Sequence, residues 1–288
     1  MASYSDAFNF NLKILILFGF WALKTENVFK KHLYHIYQYF SILLYASFNI
    51  LELFYLYHNR HDIEKFNYCI CLTIPTTLYF LKMLITLQKV SDMIPFRENL
   101  NRKAEEENDE DCKMILIKAA DEMKFLNKFF YSMTYGFVCG FWWLMPLWSK
   151  EEKKLPFAQW FPYDYKITPY YELSYFYQVF ATFFIINEIL PRELFTFGCM
   201  VSLSAEYDVL ICRVSKLGIC HEDNFELEEK KILENIKEVI IRHQGITRDV
   251  MKLEEIFSSG NFLQFLQGVT VLAVTLLDVT VVSLKNEK

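Results

Sequence analysis

The stretch FNYCICLTIPTTLYFLKMLITL, residues 66–87, decides the fold because it is almost wholly apolar and carries a single charged side chain, Lys82. An α-helix rises about 1.5 Å per residue, so about 20 such residues cross a hydrocarbon core about 30 Å thick. Four further stretches of 20 to 29 residues are similarly apolar, and charged loops separate them. The sequence therefore predicts an all-α, polytopic transmembrane helical bundle with five spans, at 36–57, 66–87, 129–148, 173–201 and 262–282.

Composition agrees with a membrane protein. Hydrophobic residues make up 53% of the chain, which includes 28 Phe and 18 Tyr. The formal net charge of -5 comes from acidic loops, so it gives no reason to expect a nucleic acid partner. The 7 Cys form no C-x-x-C array and are interpreted as small apolar packing residues.

The distribution of Lys and Arg predicts the orientation of the spans. Basic residues are concentrated before the first span, between the second and third spans, and between the fourth and fifth spans. Since loops rich in Lys and Arg remain in the cytoplasm, the N-terminus is predicted to be cytoplasmic. This orientation is the opposite of that of a G-protein-coupled receptor, so that class is excluded.

Two loops differ in character. The cytoplasmic loop contains the acidic run EEENDED at 105–111, which we expect to form a solvated turn between two projecting helices. The outer loop, 150–171, is instead rich in aromatic residues and proline. Its apolar surface is sufficient to fold over the outer ends of the helices as a lid, but the same rings could form an interfacial aromatic belt.

A cytoplasmic helical anchor region is predicted at about 205–258. Within it, apolar residues recur at alternating spacings of four and three, which is typical of a coiled-coil-like seam. Such a helix needs a packing partner, either other cytoplasmic helices of the chain, including 112–128, or the same helix of a neighbouring subunit. The predicted subunit-interface residues are Ile232, Ile236, Val239, His243, Ile246, Val250, Leu253 and Phe257.

No enzyme activity, metal site or cofactor is expected. The H-x-x-H pairs at 32–35 and 58–61 flank the first span. A helix of that length places them about 35 Å apart, so they do not form one metal site. The sequence also contains no G-x-S-x-G, P-loop or G-x-G-x-x-G motif.

Several short motifs together resemble one family. The segments LPF at 155–157, WFPYD at 160–164 and PYYEL at 169–173 closely resemble the outer loop and fourth-helix start of insect odorant receptors. The segment RHQ at 242–244 is similar to the family's approach to its fifth helix, and Gly19-Phe20-Trp21 to its glycine-tryptophan turn. The resemblance extends over essentially the whole chain as one transmembrane domain, 1–288.

This resemblance implies a function. Members of the family are subunits of odorant-gated, nonselective cation channels that assemble with a co-receptor as heterotetramers in the plasma membrane of olfactory neurons, where they detect small volatile hydrophobic ligands. The family has seven spans and lines its pore with the last one. Since this sequence ends directly after the fifth predicted span, we expect a truncated form that does not conduct alone.

The resemblance also implies where a ligand binds, among the outer halves of the second, third, fourth and sixth membrane-spanning helices of the family. Rings and a thioether suit apolar ligands, which bind through dispersion and shape. The corresponding residues are Thr76, Tyr79, Phe80, Phe137, Phe141, Trp142, Met145, Tyr177, Phe180, Ala181 and Phe184.

Two alternatives stay open at this point. A gustatory receptor of the same superfamily would share the topology and differ in a signature of the seventh helix. A fragment of a membrane transporter would show inverted repeats and spans interrupted at the bilayer midplane. The sequence has one proline-interrupted span, at Pro191, without a matching partner in the other half.

Overall fold

A computed structural model describes residues 4–22, 26–144, 153–217 and 225–286. Every regular element in these ranges is helical, in agreement with the predicted all-α class. The elements are α1 (Tyr4–Leu17), α2 (Val28–His58), α3 (Ile63–Glu106), α4 (Glu110–Phe137), a π-helical turn (Val138–Trp143), α5 (Tyr170–Ser215) and α6 (Phe225–Asn286).

Local sequence sets the boundary between α1 and α2. Gly19 ends the first segment with a φ of 80°, in the left-handed region that favours glycine. A Cβ at this position would also lie 3.0 Å from the Ser41 hydroxyl oxygen. Asn27 then caps α2, because its side-chain oxygen accepts hydrogen bonds from the backbone N–H groups of Phe29 and Lys30.

The acidic run at 105–111 is not the fully solvated turn that the sequence predicted. Helix α3 continues through Glu106, and only 107–109 separate it from α4. Glu107 is buried, whereas Asp109 caps α4 by accepting hydrogen bonds from the N–H groups of Asp111 and Cys112. Glu110 and Asp111 lie in the first turn of α4, where the helix dipole favours acidic side chains.

Four of the five predicted spans fall within described helices that are long and apolar enough to cross a membrane. These are the spans at 36–57, 66–87, 173–201 and 262–282. The span predicted at 129–148 coincides with the end of α4 and the π-helical turn up to Trp143, and residues 145–148 lie outside the described ranges. Whether each of the five segments crosses a membrane stays a prediction, and the third is the one that no described helix of sufficient length and apolarity contains.

The chain divides into two compact units. Unit 1 comprises Met1–Leu12, Lys89–Phe129 and Arg192–Ser258. One cluster of its buried core lies between α4 and α5 and is formed by small and branched side chains: Cys112, Leu116, Ala119, Ala205 and Val209. Small residues let two helix backbones approach closely, which explains why α4 and α5 pack along this line.

Unit 2 comprises Lys13–Gln88, Phe130–Pro191 and Ser259–Lys288, and it holds most of the predicted spans. Its helix α2 shows how the unit is organised. The inward face carries polar and aromatic side chains: Ser41, Tyr45, Phe48, Asn49 and Glu52. The outward face is apolar, with exposed Ile36, Leu43 and Leu53. This arrangement fits a helix whose outer face contacts lipid and whose inner face packs on other helices.

Candidate functional site

A ladder of polar contacts joins α2 to α3 inside unit 2. The Asn49 amide nitrogen donates to the hydroxyl oxygens of Thr76 and Thr77, at 3.2 and 3.1 Å. Thr76 Oγ1 in turn donates to the Glu52 carboxylate at 2.5 Å. One turn below, the Tyr45 hydroxyl donates to the Thr76 carbonyl at 3.3 Å. The ladder fixes the register of the two helices and holds the buried carboxyl group of Glu52 at their interface.

Aromatic side chains of α5 face the same helix α2. The hydroxyl oxygens of Tyr177 and Ser47 are hydrogen-bonded at 2.7 Å. Phe180 and Phe184, one turn apart on α5, have ring centroids 5.0 Å apart. Phe184 also packs edge-on against Phe18, which precedes α2. These rings give the helix interface an apolar lining with isolated hydroxyl groups, a combination that suits small ligands with one polar group.

The outer loop folds back onto α2 and α5. Gln159 Nε2 donates to the Phe48 carbonyl at 3.1 Å, and the Trp160 N–H donates to the Leu51 carbonyl at 3.1 Å. The Phe157 ring packs edge-on against Phe48 with centroids 5.4 Å apart. The described part of the loop is therefore packed on the helices of unit 2 through both backbone and side chains.

An open cavity of 670 Å³ is lined by this loop. One of its walls is Tyr55 of α2, and the rest of the described lining comes from the loop. The lining combines apolar groups with three ammonium groups, and its members are Lys153, Lys154, Leu155, Pro156, Phe157, Ala158, Gln159, Tyr165 and Lys166.

The structure brings several predicted ligand residues together. Thr76 and Phe80 lie on α3 against Tyr45, whose ring centroid is 5.2 Å from that of Phe80. Ala181 and Phe184 are buried, Tyr79, Tyr177 and Phe180 are partly buried, and Phe137 is largely exposed. The side chains of Phe141 and Trp142, and the whole of Met145, lie outside the described part of the chain.

Sequence reasoning missed the contribution of α2 to this region. Tyr45, Ser47, Asn49 and Glu52 each bond to a residue of α3 or α5, yet none was predicted as a ligand residue. One signal was available, because an acidic residue inside an apolar span is costly and usually functional.

A second cluster of functional interest, in unit 1, is ionic. Glu107 accepts hydrogen bonds from Arg213 Nη2 at 2.8 Å and from Arg242 Nη1 at 2.7 Å. Arg242 Nη2 also donates to Glu206 at 3.0 Å. Burial by itself raises the pKa of the Glu107 carboxyl, but the hydrogen bonds from Arg213, from the Asp109 backbone and from Arg242 outweigh it and leave the pKa below its ordinary value. The ionised carboxylate thus ties the turn between α3 and α4 to α5 and α6.

Neighbouring pairs extend this ionic cluster. Lys216 Nζ lies 2.7 Å from carboxylate oxygens of both Asp109 and Asp111, and its hydrogen bond lowers the pKa of Asp109. Lys103 Nζ lies 2.5 Å from Asp249 of α6, which also accepts from the Asn99 amide. Charge-assisted hydrogen bonds therefore link the ends of α3 and α5 to the first half of α6.

The predicted seam on α6 divides between two environments. Ile246 and Phe257 are buried within the chain, whereas Ile236, His243 and Val250 are exposed. Ile232, Val239 and Leu253 are partly buried. Exposed apolar residues next to the seam, Leu233 and Ile240 among them, continue its accessible side. The inner residues fasten α6 to its own chain, and the outer ones form an apolar strip on the surface of unit 1.

Comparisons with known proteins agree on one family. The family model described as 7tm Odorant receptor matches residues 62–287. The chain is similar to the solved insect olfactory receptor OR5 from Machilis hrabei, with a TM-score of 0.67 and 16% identity over 92% of this chain and 69% of that one. The same receptor in complex with eugenol gives a TM-score of 0.68 and 17% identity, over 94% and 71%. No curated protein matches the sequence.

At these identities the structural likeness establishes the fold, which is that of an insect olfactory receptor bundle. The family model adds the ancestry, because it matches most of the sequence and not one motif. The chain is therefore a polytopic membrane protein that belongs to the 7tm odorant receptor family.

Proposed function

We propose that this chain is an odorant-binding receptor subunit that holds a small, volatile, hydrophobic ligand between α2, α3 and α5 of unit 2. The observation that carries this proposal is the convergence of rings and single hydroxyl groups around Tyr45, Thr76 and Tyr177, with the outer loop packed above Phe48. The complex of the similar receptor OR5 with eugenol supports ligand binding by this fold.

The predicted ligand residues on α4 and the π-helical turn belong to the same proposal. Phe137, Phe141, Trp142 and Met145 would add further rings and a thioether to the site, although the side chains of the last three lie outside the described part of the chain. Apolar groups of this kind bind ligands through contact area and shape, so the site would select by size before it selects by polarity.

We further infer that the subunit works with a co-receptor as part of a ligand-gated, nonselective cation channel in the plasma membrane. Support comes from the most hydrophobic window of α6, only 6% of which is buried within the described chain. In the bilayer such a helix is covered by lipid or by another subunit. The apolar strip on the first half of α6, which includes Ile236 and Val250, gives unit 1 a surface of its own for contact with a second subunit.

Ligand binding is tested on the full chain in lipid nanodiscs. Headspace gas chromatography measures how much of each volatile in a panel is depleted by the protein relative to empty nanodiscs. Phe184→Ala should weaken binding about tenfold or more, because truncating a buried ring at a binding site commonly costs that much. Phe125→Ala, which removes an exposed ring of unit 1, serves as the control and should change nothing. Absence of saturable binding across the panel contradicts the proposal.

A further inference from the structure

Glu52 stands out because it is an acidic side chain only 2% exposed, in the outer third of the first predicted span, 36–57. An ionisable group at membrane depth is expensive to bury, so it is retained where it pairs with a partner or takes part in function. No cation among the described side chains contacts it, although three polar residues, Asn49, Thr76 and Thr77, lie beside it.

The hydrogen bonds that reach Glu52 are few for a carboxylate. Its two oxygens can accept about four hydrogen bonds. Among the described residues, Thr76 Oγ1 donates to Glu52 Oε2, and the donors of the neighbouring Asn49 amide are directed to Thr76 and Thr77. Whether ionised or neutral, the Glu52 carboxyl group therefore has capacity to accept from a further donor in the helix interface.

The Thr76 hydroxyl also has other acceptors within reach. Thr76 Oγ1 lies 3.1 Å from the Leu72 carbonyl and 3.0 Å from the Thr73 carbonyl of its own helix. Either carbonyl can accept the Thr76 proton if it leaves Glu52, so no buried hydroxyl would be left unsatisfied. A ligand hydroxyl could then donate to Glu52 in the same geometry that a threonine hydroxyl already adopts.

The surroundings favour a neutral donor over a cationic one. Tyr55, three residues beyond Glu52 on α2, lines the cavity of the outer loop, and Phe157 and Gln159 of that cavity pack on Phe48 of the same helix. The cavity is also lined by Lys153, Lys154 and Lys166. Three ammonium groups repel an incoming ammonium ion but not an alcohol.

We propose that Glu52 is the polar anchor of the ligand site and that the ligands it selects are neutral hydroxyl compounds, alcohols or phenols. The proposal rests on the proposed function of unit 2 as the ligand-binding region. It assigns the apolar part of the ligand to the rings around Tyr45, Phe80 and Tyr177, and the hydroxyl group to Glu52.

The test compares molecules of equal shape that differ only in the hydroxyl group. The probes are 2-phenylethanol with propylbenzene, and 1-hexanol with heptane. Each is offered to the full chain in nanodiscs, and its binding is normalised to its partition into empty nanodiscs. The wild-type chain should prefer the alcohol of each pair by about three- to tenfold, as expected for one hydrogen bond to a buried carboxyl oxygen.

Variants test whether the preference for alcohols depends on Glu52 or on the packing of the site in general. Glu52→Leu should abolish the preference for alcohols while leaving hydrocarbon binding in place. Glu52→Gln should keep part of it, because its amide oxygen still accepts a hydrogen bond. Thr86→Val is the matched control, since Thr86 lies on the same helix as Thr76 but bonds to the Lys82 carbonyl, outside the ladder, and it should keep the full preference.

The outcomes distinguish this inference from the proposed function. If the wild-type chain binds hydrocarbons and alcohols equally well, or if Glu52→Leu retains the wild-type preference, then Glu52 is not the anchor although unit 2 still binds volatiles. If the wild-type chain binds none of the four probes, both the inference and the proposed ligand site are contradicted. Circular dichroism and size-exclusion elution of Glu52→Leu, matched to Glu52→Gln, establish that the variant is folded.

Discussion

The side-chain amide of Gln178 pairs with the backbone of Phe157 as a strand would. Gln178 Oε1 accepts the Phe157 N–H at 3.0 Å, and Gln178 Nε2 donates to the Phe157 carbonyl at 2.9 Å. Gln178 is 0% exposed and also donates to Gln159. One residue of α5 therefore satisfies both backbone groups of a buried loop residue, which is how an irregular segment can pack against helices without unpaired polar groups.

The first prediction concerns this loop. Gln178→Leu should leave the backbone N–H and carbonyl of Phe157 without their partners and loosen the packing of the loop on α2 and α5. Hydrogen exchange should show amide protection at Phe157 reduced about tenfold or more. Gln38→Leu, which removes a different amide hydrogen bond, to the Trp21 carbonyl, is the control and should not alter it. Unchanged protection in Gln178→Leu would show that the aromatic contacts of the loop suffice.

The second prediction contrasts two adjacent acidic residues. Glu107 has a side chain that is 0% exposed between Arg213 and Arg242, whereas the side chain of Glu106 is 61% exposed beside Arg102. Glu107→Gln should destabilise unit 1 by about 3 kcal/mol because it leaves two arginines partly unpaired. Glu106→Gln should cost less than about 0.5 kcal/mol. Thermal melting of both variants in nanodiscs measures the contrast, and equal melting temperatures would contradict it.

The third prediction gives the pH dependence of the same cluster. Since hydrogen bonds hold the pKa of Glu107 below its ordinary value, its stabilisation is complete above the unfolded pKa of about 4.3 and is lost as the pH falls through the lower folded pKa. The difference in melting temperature between the wild type and Glu107→Gln should stay constant from about pH 7 to pH 5 and shrink below about pH 4. A difference that disappears between pH 7 and pH 6 would assign the effect to another group.

The fourth prediction concerns assembly. Ile236→Asp together with Val250→Asp places two charges on the exposed apolar strip of α6 and should abolish co-purification with the co-receptor, with membrane insertion unchanged. Asn235→Asp together with Gln244→Asp adds the same charge at exposed polar positions and should not. Co-purification that survives the first pair would mean that α6 packs only within its own chain.

The fifth prediction fixes the orientation. With a cytoplasmic N-terminus, the turn near Glu106 faces the cytoplasm and the loop near Lys154 faces outward. A membrane-impermeant maleimide added to intact cells should label Lys154→Cys and not Glu106→Cys, above the background from the native cysteines. Both positions are exposed in the folded chain, so access is decided by the membrane alone. Labelling of Glu106→Cys and not of Lys154→Cys would show that the predicted topology is inverted.

Much of the fold could be predicted because membrane insertion depends on local composition. Helices α2, α3, α5 and α6 each contain a mostly apolar stretch of about 20 residues, and a segment of that kind enters a bilayer as a helix. The family could also be recognised from several short motifs taken together, such as those at 155–164, and the family model confirms it.

Pairings between distant residues could not be predicted, since nothing in the local sequence records them. Asn11 and Asn127, both polar and both buried, are joined by a hydrogen bond of 3.2 Å that no spacing rule indicates. The burial of Glu107 was mispredicted because a run of acidic residues reads as solvated until Arg213 and Arg242 are brought to it.

The candidate site shows the same division. The sequence alone determined which segments are apolar enough to enter the membrane, and so placed Thr76, Phe80 and Tyr177 on helices that could meet. Only the tertiary structure decided that α2 lies between them, because helix packing is set by the fit of side chains across an interface and not by the hydrophobicity of either helix. That packing brings Thr76 to Glu52, so the acidic side chain is hydrogen-bonded at the interface of α2 and α3.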